Sequence, residues 1–269
     1  MTLDLGASLW GFYFGRAAAE WPSLGDAVRS VIGLGLGLGV EVWALKGPAD
    51  AGLIPGEEGD LIHAVSAAPF VTAHTRGEYW TWNPSGLRAE IDFAARVGAS
   101  VLVVHPGSLG LDRPNGRPDV PEIRRILDHG RERRVRVALE NTPNALSALD
   151  RALDDLGDDP ATSNLGICID VGHAFLSTDA GRHPLREYLR RYRGQLAHLH
   201  LHDTDGIHDS HDVPGRGRID WNDLCGILEG IHYRGRAVLE VQRGGESPLG
   251  GFREAAGLLA ALGRTVPNP

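Results

Sequence analysis

Short apolar runs recur along this 269-residue chain, and most of them stop at a histidine or a carboxylate. Residues 70–73 stop at His74, 101–104 at His105, 135–139 at Glu140, 165–169 at Asp170 and 237–239 at Glu240. The run 196–201 carries His200 inside it, and two earlier runs lie at 3–10 and near 40–43. Between the runs come stretches with apolar residues at helical spacing: 24–32 behind a Ser23 N-cap, then 60–67, 84–97, 120–133, 145–156, 185–192, 221–228 and 252–262. Runs this short and apolar read as strands buried on both faces, and their alternation with helices is that of parallel βα units.

Eight such units, with no long linker, low-complexity segment or second domain, predict an α/β fold, a single-domain (β/α)8 TIM barrel over residues 1–269. A doubly wound open sheet is the alternative, but it would not normally put a polar residue at the C-terminal end of nearly every strand. In a barrel those ends converge on one mouth, so residues scattered in sequence become neighbours. The glycines of GLGLGLG at 33–39 match neither GxGxxG nor the lysine-containing phosphate loop, and read as a close-packed turn into a strand.

Charge and composition narrow the function classes. A net charge of -8 gives no general electrostatic footprint for nucleic acid, which makes such a partner unfavoured, although a local basic groove is compatible with it. Lys46 is the sole lysine, and the abundance of arginine reads as compositional bias. Cys168 and Cys225 form no CxxC pair, so neither a disulfide framework nor a thiolate zinc cluster is indicated. No window is apolar enough to span a membrane, and MTLDLGASLW has neither a basic n-region nor a cleavage signal, so the expected location is the cytoplasm.

A divalent metal is the natural use of the strand-end residues. Glu140, Asp170, His200 and Glu240 offer oxygen and nitrogen donors suited to zinc or manganese. A lone strand-end glutamate is as often a solvated carboxylate, but several carboxylates buried together need a cation. His74 and His105 add imidazoles, and His173 can ligate or bind a substrate oxygen. Asp209 and His211 form an alternate-residue pair able to grip a further ion. His202 is read as pointing away from His200 and outside the ligand set, His198 as core packing, and Asp203 and His208 as outer supports, with Asp203 orienting a histidine. Arg216, in the Pro-Gly-Arg-Gly turn at 214–217, is a candidate for a substrate phosphate, a purely structural turn being the alternative. Trp10, Phe12, Tyr13, Trp43 and the group Tyr79, Trp80 and Trp82 supply an apolar wall, with Trp10 and Trp82 the candidate substrate-binding aromatics.

These motifs carry a family resemblance. HPG at 105, ENTP at 140, CIDVGHAF at 168, HLHDTDG at 200, DSHDVPGRG at 209 and Glu240 resemble, over essentially the whole chain, the xylose isomerase-like TIM-barrel superfamily. That superfamily contains sugar and sugar-phosphate isomerases and epimerases, and endonuclease IV. The resemblance to the epimerases implies one divalent ion, often manganese, held at Glu140, Asp170, His200 and Glu240, with the two glutamates on opposite faces of the substrate and His173 touching it. The resemblance to endonuclease IV implies three zinc ions on His74, His105, Glu140, Asp170, His173, His200, Asp209, His211 and Glu240, all of matching type here. The ketose epimerases usually carry an arginine where this chain has Asp209 and His211. Endonuclease IV has a longer insertion before its Asp-x-His pair, and a tyrosine near the early histidine where this chain has Thr75, Arg76 and Gly77.

The expected function is a divalent-metal-dependent isomerase or epimerase of a small sugar, sugar phosphate or related polyol. Glu140 and Glu240 would exchange a carbon-bound proton through a metal-bound cis-enediolate, and His173 would bind a substrate hydroxyl. The cofactor would be Mn2+ or Zn2+, one to three ions. The competing expectation is a di- or trinuclear zinc phosphoesterase acting on abasic DNA or a small phosphoester. A metal-dependent lyase or dehydratase and a non-catalytic barrel are further alternatives.

Overall fold

In the computed structural model, residues 3–14, 20–43, 57–75, 82–111, 118–143, 146–157, 164–177, 183–242 and 247–262 are described. Arg76, Gly77, Tyr79, Trp80 and Lys46 lie outside them. Strands β1 (Asp4–Ser8), β2 (Gly39–Trp43), β3 (Val71–His74), β4 (Val101–Val104), β5 (Arg136–Glu140), β6 (Leu165–Asp170), β7 (Leu196–Leu201) and β8 (Arg236–Leu239) form a closed barrel in chain order. Each strand pairs in parallel with the next, and β8 returns to β1. The predicted (β/α)8 barrel is therefore the fold.

Around it stand α1 (Leu24–Ile32), α2 (Glu57–Val65), α3 (Pro84–Arg96), α4 (Val120–Glu132), α5 (Leu146–Leu156), α6 (Val171–Phe175), α7 (Pro184–Arg191), α8 (Trp221–Gly230) and α9 (Leu249–Ala261). Their starts are chemically marked. Ser23, Asn83, Asp119 and Asp220 each accept a first-turn N–H, satisfying donors that would otherwise be orphaned. Two helices begin earlier than their apolar spacing predicts. α2 opens on Glu57 and Glu58, acidic residues favoured in a first turn, and Glu57 Oε1 accepts the Leu24 N–H of α1 at 3.1 Å. α9 starts at Leu249, directly after Pro248. The apolar stretch 3–10 is a strand only to Ser8, because Leu9–Phe12 tightens into a 3-10 turn.

The helices bury their apolar stripes on the barrel's outer surface. Ile91 of α3 and Ile123, Ile126 and Leu127 of α4 are fully buried there, each such side chain contributing about 1.5–3 kcal/mol. A separate apolar layer, Val101, Val103, Ala138 and Cys168, fills the barrel interior. The glycine-rich entry to β2 has a steric cause. A Cβ on Gly39 would lie 2.5 Å from the Phe70 ring, and Gly37 takes a left-handed φ of 63°.

Candidate metal centre

Residues two apart on a strand share a face, so one lane of each strand looks into the barrel. Above the apolar layer these lanes turn polar: Glu41 then Trp43 on β2, Thr72 then His74 on β3, Glu140 on β5, Asp170 on β6, His198 then His200 on β7, and Glu240 just past β8. Apart from Trp43, all are polar and buried. The barrel thus lifts one polar side chain from nearly every strand into a common mouth.

At its floor, His200 Nδ1 lies 2.9 Å from Glu140 Oε1, 3.3 Å from Glu240 Oε2 and 4.0 Å from Asp170 Oδ2. Ligand-capable atoms of Glu140, Asp170, His200 and Glu240 all fall within 4.8 Å of one another. Glu140 is shared with a second group, since its Oε2 is 3.2 Å from His74 Nε2 and 3.0 Å from His105 Nε2. A third group gathers at the rim from His173, His202, Asp209 and His211. There His173 Nε2 is 3.1 Å from Asp209 Oδ2, and His211 Nε2 is 3.4 Å from Asp209 Oδ1.

The floor fits a divalent cation. Three carboxylates are buried together, and no arginine or lysine is among the described residues lining the cavity above them. Asp170 Oδ1 accepts the His173 N–H at 2.7 Å and faces His202 Nε2 at 2.8 Å, whereas its Oδ2 is buried with no hydrogen-bond partner. That orphaned oxygen is turned toward the other floor ligands, and a metal ion would satisfy it. Imidazole and carboxylate donors without thiolates suit zinc or manganese.

Electrostatics separates the two glutamates. Burial raises the Glu240 carboxyl above its usual range. Burial acts on Glu140 in the same sense, but the His200 and His105 imidazoles beside it override that and hold it well below. His173 is also displaced: burial alone would lower it, yet Asp170 and the hydrogen-bonded Asp209 push it up to about 10.

A cavity of about 410 Å³ stands over the floor, walled by Trp10, Phe14 and Trp43, with Pro106 and Pro143 beside the histidines. Trp43 stacks on His74 at 3.9 Å between ring centres, and Trp10 packs on His211 at 4.7 Å. His74, His105, Glu140, His173, Asp209, His211, Glu240 and Trp10 line this cavity, with Asp170 and His200 buried among the floor ligands. All nine candidate ligands therefore meet at one mouth.

Several side chains sit elsewhere than expected. Trp82 packs against the hydrophobic core and is not among the cavity-lining residues. Arg216 is drawn to Glu254, with Nε and Nη2 at 2.8 and 2.7 Å from its carboxylate, and points along the exposed surface. His202 is buried beside Asp170, stacked on His211 at 3.9 Å and 14°, and belongs to the rim group. It shares the parity of His198 and His200, so the period of the strand itself places all three on the lumen side. Asp203 meets a histidine through its backbone, its carbonyl oxygen lying 3.2 Å from His202 Nδ1, and not through its carboxylate. Its carboxylate accepts N–H groups from Thr204, Gly215 and Ile219 and the Trp221 indole N–H, and so organises the loop. His208 pairs with Asp205 in the exposed part of that loop. Glu41, passed over in the sequence, is fully buried; its only signal is one charge inside the apolar segment VEVW.

A parallel eight-stranded barrel gathering imidazoles and carboxylates at its C-terminal mouth defines the class as a TIM barrel with a metal-competent mouth. Residues 39–262 match the family model described as xylose isomerase-like TIM barrel, and the chain belongs to that family. The uncharacterized protein MJ1311 of Methanocaldococcus jannaschii is 28% identical over 162 residues, 57% of this chain and 55% of that relative. A probable endonuclease 4 of Thermoplasma acidophilum is 27% identical over 180 residues, 61% of this chain and 60% of that protein. The chain thus spans a little over half the length of these curated relatives. Among solved structures, an L-ribulose 3-epimerase superposes with a TM-score of 0.70 at 13% identity, covering 97% of this chain and 94% of its own, a likeness of fold. No helix among the described residues is long and apolar enough to cross a membrane.

Proposed function

We propose that the protein is a divalent-metal-dependent isomerase or epimerase of a small sugar, sugar phosphate or related polyol. The observation that carries this reading is the pair Glu140 and Glu240 beside His200 Nδ1, at 2.9 and 3.3 Å, two carboxyl groups meeting at one ligand position of the floor. Two carboxyls in one site are what a proton-exchange reaction needs, one to take the proton and one to return it. A divalent ion at the floor, Mn2+ or Zn2+, would polarise a substrate carbonyl and its neighbouring hydroxyl. Glu140 would accept the proton of the adjacent carbon, whose electron pair moves toward the carbonyl. Glu240 would return a proton to carbon from the other side, so the exchange is redox-neutral. His173 would bind a substrate hydroxyl, and Trp10 would cover an apolar face of the substrate. The cavity volume suits a small ligand, and the acidic chain with no arginine or lysine among the described lining residues favours such a substrate over nucleic acid.

The test is deuterium wash-in, followed by proton NMR, with metal-loaded protein and a panel of ketoses, ketose phosphates and inososes in D2O. Exchange next to the carbonyl is expected with at least one compound. Glu140→Gln and Glu240→Gln should each cut its rate by about 10²–10⁴-fold. Exchange at the wild-type rate in both variants would end this mechanism.

A second reading, hydrolysis of a phosphoester, is favoured by one specific observation: three further ligand-capable groups adjoin the floor, one sharing Glu140, one (Glu41, His198 and His200) sharing His200, and one at the rim. His74 and His105 would hold a second ion, and His173, Asp209 and His211 a third. Multinuclear centres supply hydrolytic chemistry. Metal analysis separates the readings. One ion per chain at full activity supports isomerisation, and two or three ions with phosphatase or abasic-site activity support hydrolysis.

A further inference from the structure

We propose that Glu41 is a positioning residue that fixes the orientation and tautomer of the metal ligand His200. The inference rests on the proposed metal at the mouth floor and deepens that reading by one layer. His200 can ligate through only one nitrogen while the other carries the ring proton, and the partner of that second nitrogen decides which is which. Its Nδ1 faces the three floor carboxylates. Its Nε2 points down the barrel at Glu41, 3.2 Å from Oε1 and 3.4 Å from Oε2. A carboxylate there can only accept, so the proton belongs on Nε2 and the Nδ1 lone pair is left for the metal.

Glu41 is built for this task. It lies on β2, sealed in the lumen with no exposed surface. Thr72 Oγ1 donates to its Oε2 at 3.1 Å from β3, and His198 Nε2 stands 3.2 Å from the same oxygen, from β7. Among the described residues this carboxylate therefore meets a hydroxyl and two imidazoles, and no arginine or lysine. Thr72 and His198 hold Oε2 from two other strands, and His200 Nε2 makes its hydrogen bond to that same oxygen at 3.4 Å, while Oε1, 3.2 Å from Nε2, accepts no hydrogen bond. The opposite tautomer of His200 would set an imidazole lone pair against a buried carboxylate and a proton where the metal belongs. A carboxylate behind the ligand also increases the basicity of its metal-facing nitrogen.

A merely structural Glu41 would stabilise the barrel without influencing the metal. Zn2+ affinity of the full chain, measured by competition with a chromophoric chelator, separates the two roles. Glu41→Gln keeps the size and an acceptor oxygen but loses the charge, and should weaken Zn2+ binding by about 10–100-fold, with circular dichroism and metal-free Tm showing a folded protein. Affinity within twofold of wild type in a folded Glu41→Gln variant would overturn the inference and leave the metal reading standing. No tight Zn2+ or Mn2+ binding by wild type would instead remove the metal reading and this inference with it. Should the variant fail to fold, the Zn2+-loaded wild type still decides. Long-range 15N–1H NMR should show His200 with a proton on Nε2 and metal on Nδ1, and a proton on Nδ1 would overturn the inference.

Discussion

The floor and the rim of the mouth use the same side-chain chemistry but are built differently. Glu140 and Asp170 are the final residues of β5 and β6, His200 lies near the end of β7, and Glu240 directly follows β8. Their positions are set by the backbone hydrogen bonds of the barrel. The rim takes His173 from the short α6, and Asp209 and His211 from the loop beyond β7. That loop is folded back by a two-residue antiparallel bridge, with Asp203 N–H donating to Asp212 O at 2.7 Å and Asp212 N–H to Asp203 O at 2.9 Å. His211 sits at a left-handed φ of 48°, unusual for a residue with a side chain. The floor is pre-organised by the fold, whereas the rim loop is held by one backbone bridge and by side chains that a single substitution can release.

This difference sets the order of expected effects. The largest falls on the floor, where Glu140→Gln removes a proton carrier and a ligand-capable group shared by two clusters, as the deuterium exchange rate tests. Next comes the device that folds the rim. Asp203→Ala strands four donors that the carboxylate now satisfies. It should cost about 3 kcal/mol or more in urea unfolding, since each unsatisfied buried donor costs about 1–3 kcal/mol. The same variant should weaken rim metal binding more than floor binding, and equal loss at both would erase the distinction between them.

Removing the rim ligands alone should do less. Under the isomerase reading, the double variant Asp209→Asn with His211→Gln should keep one ion per chain, counted by elemental analysis. Its rate should stay within about tenfold, the scale of a lost substrate-positioning contact of about 1.4 kcal/mol. Complete loss of activity would move the chemistry from floor to rim. The smallest effect is a pH dependence of the metal-free protein. His173 is raised from 6.5 to about 10, so its charged form is favoured by folding. The stability it contributes is fully present below about pH 6.5 and is lost as the pH rises through about 10, which thermal melts across that window would register. Bound metal should reverse the trend, because a ligating imidazole must shed its proton.

The barrel and the floor were readable in the sequence for one reason. A buried parallel strand is almost wholly apolar, so a carboxylate or imidazole closing such a run marks the mouth; Glu140, Asp170 and Glu240 carry that mark, and His200 stands one residue before the end of its run. Glu41 carries a weaker one, because its partners Thr72 and His198 come from β3 and distant β7, and only barrel closure brings them together. His202 was legible in principle, since its parity equals that of His200. Arg216 and Trp82 were not. Composition offers an arginine or an indole, but the side chain that captures Glu254 or packs against the core is selected by tertiary contacts. Asp203 illustrates the same limit, as an acid beside histidines whose carboxylate serves the residues that follow while only its carbonyl meets His202.

The floor of the mouth is expected to hold a divalent ion. Anomalous diffraction at the zinc and manganese edges, on crystals grown with each metal, tests it directly. A peak ligated by His200 Nδ1, Asp170 Oδ2 and the carboxylates of Glu140 and Glu240 is expected. Peaks confined to the rim histidines, or no peak at the floor at millimolar metal, would contradict it.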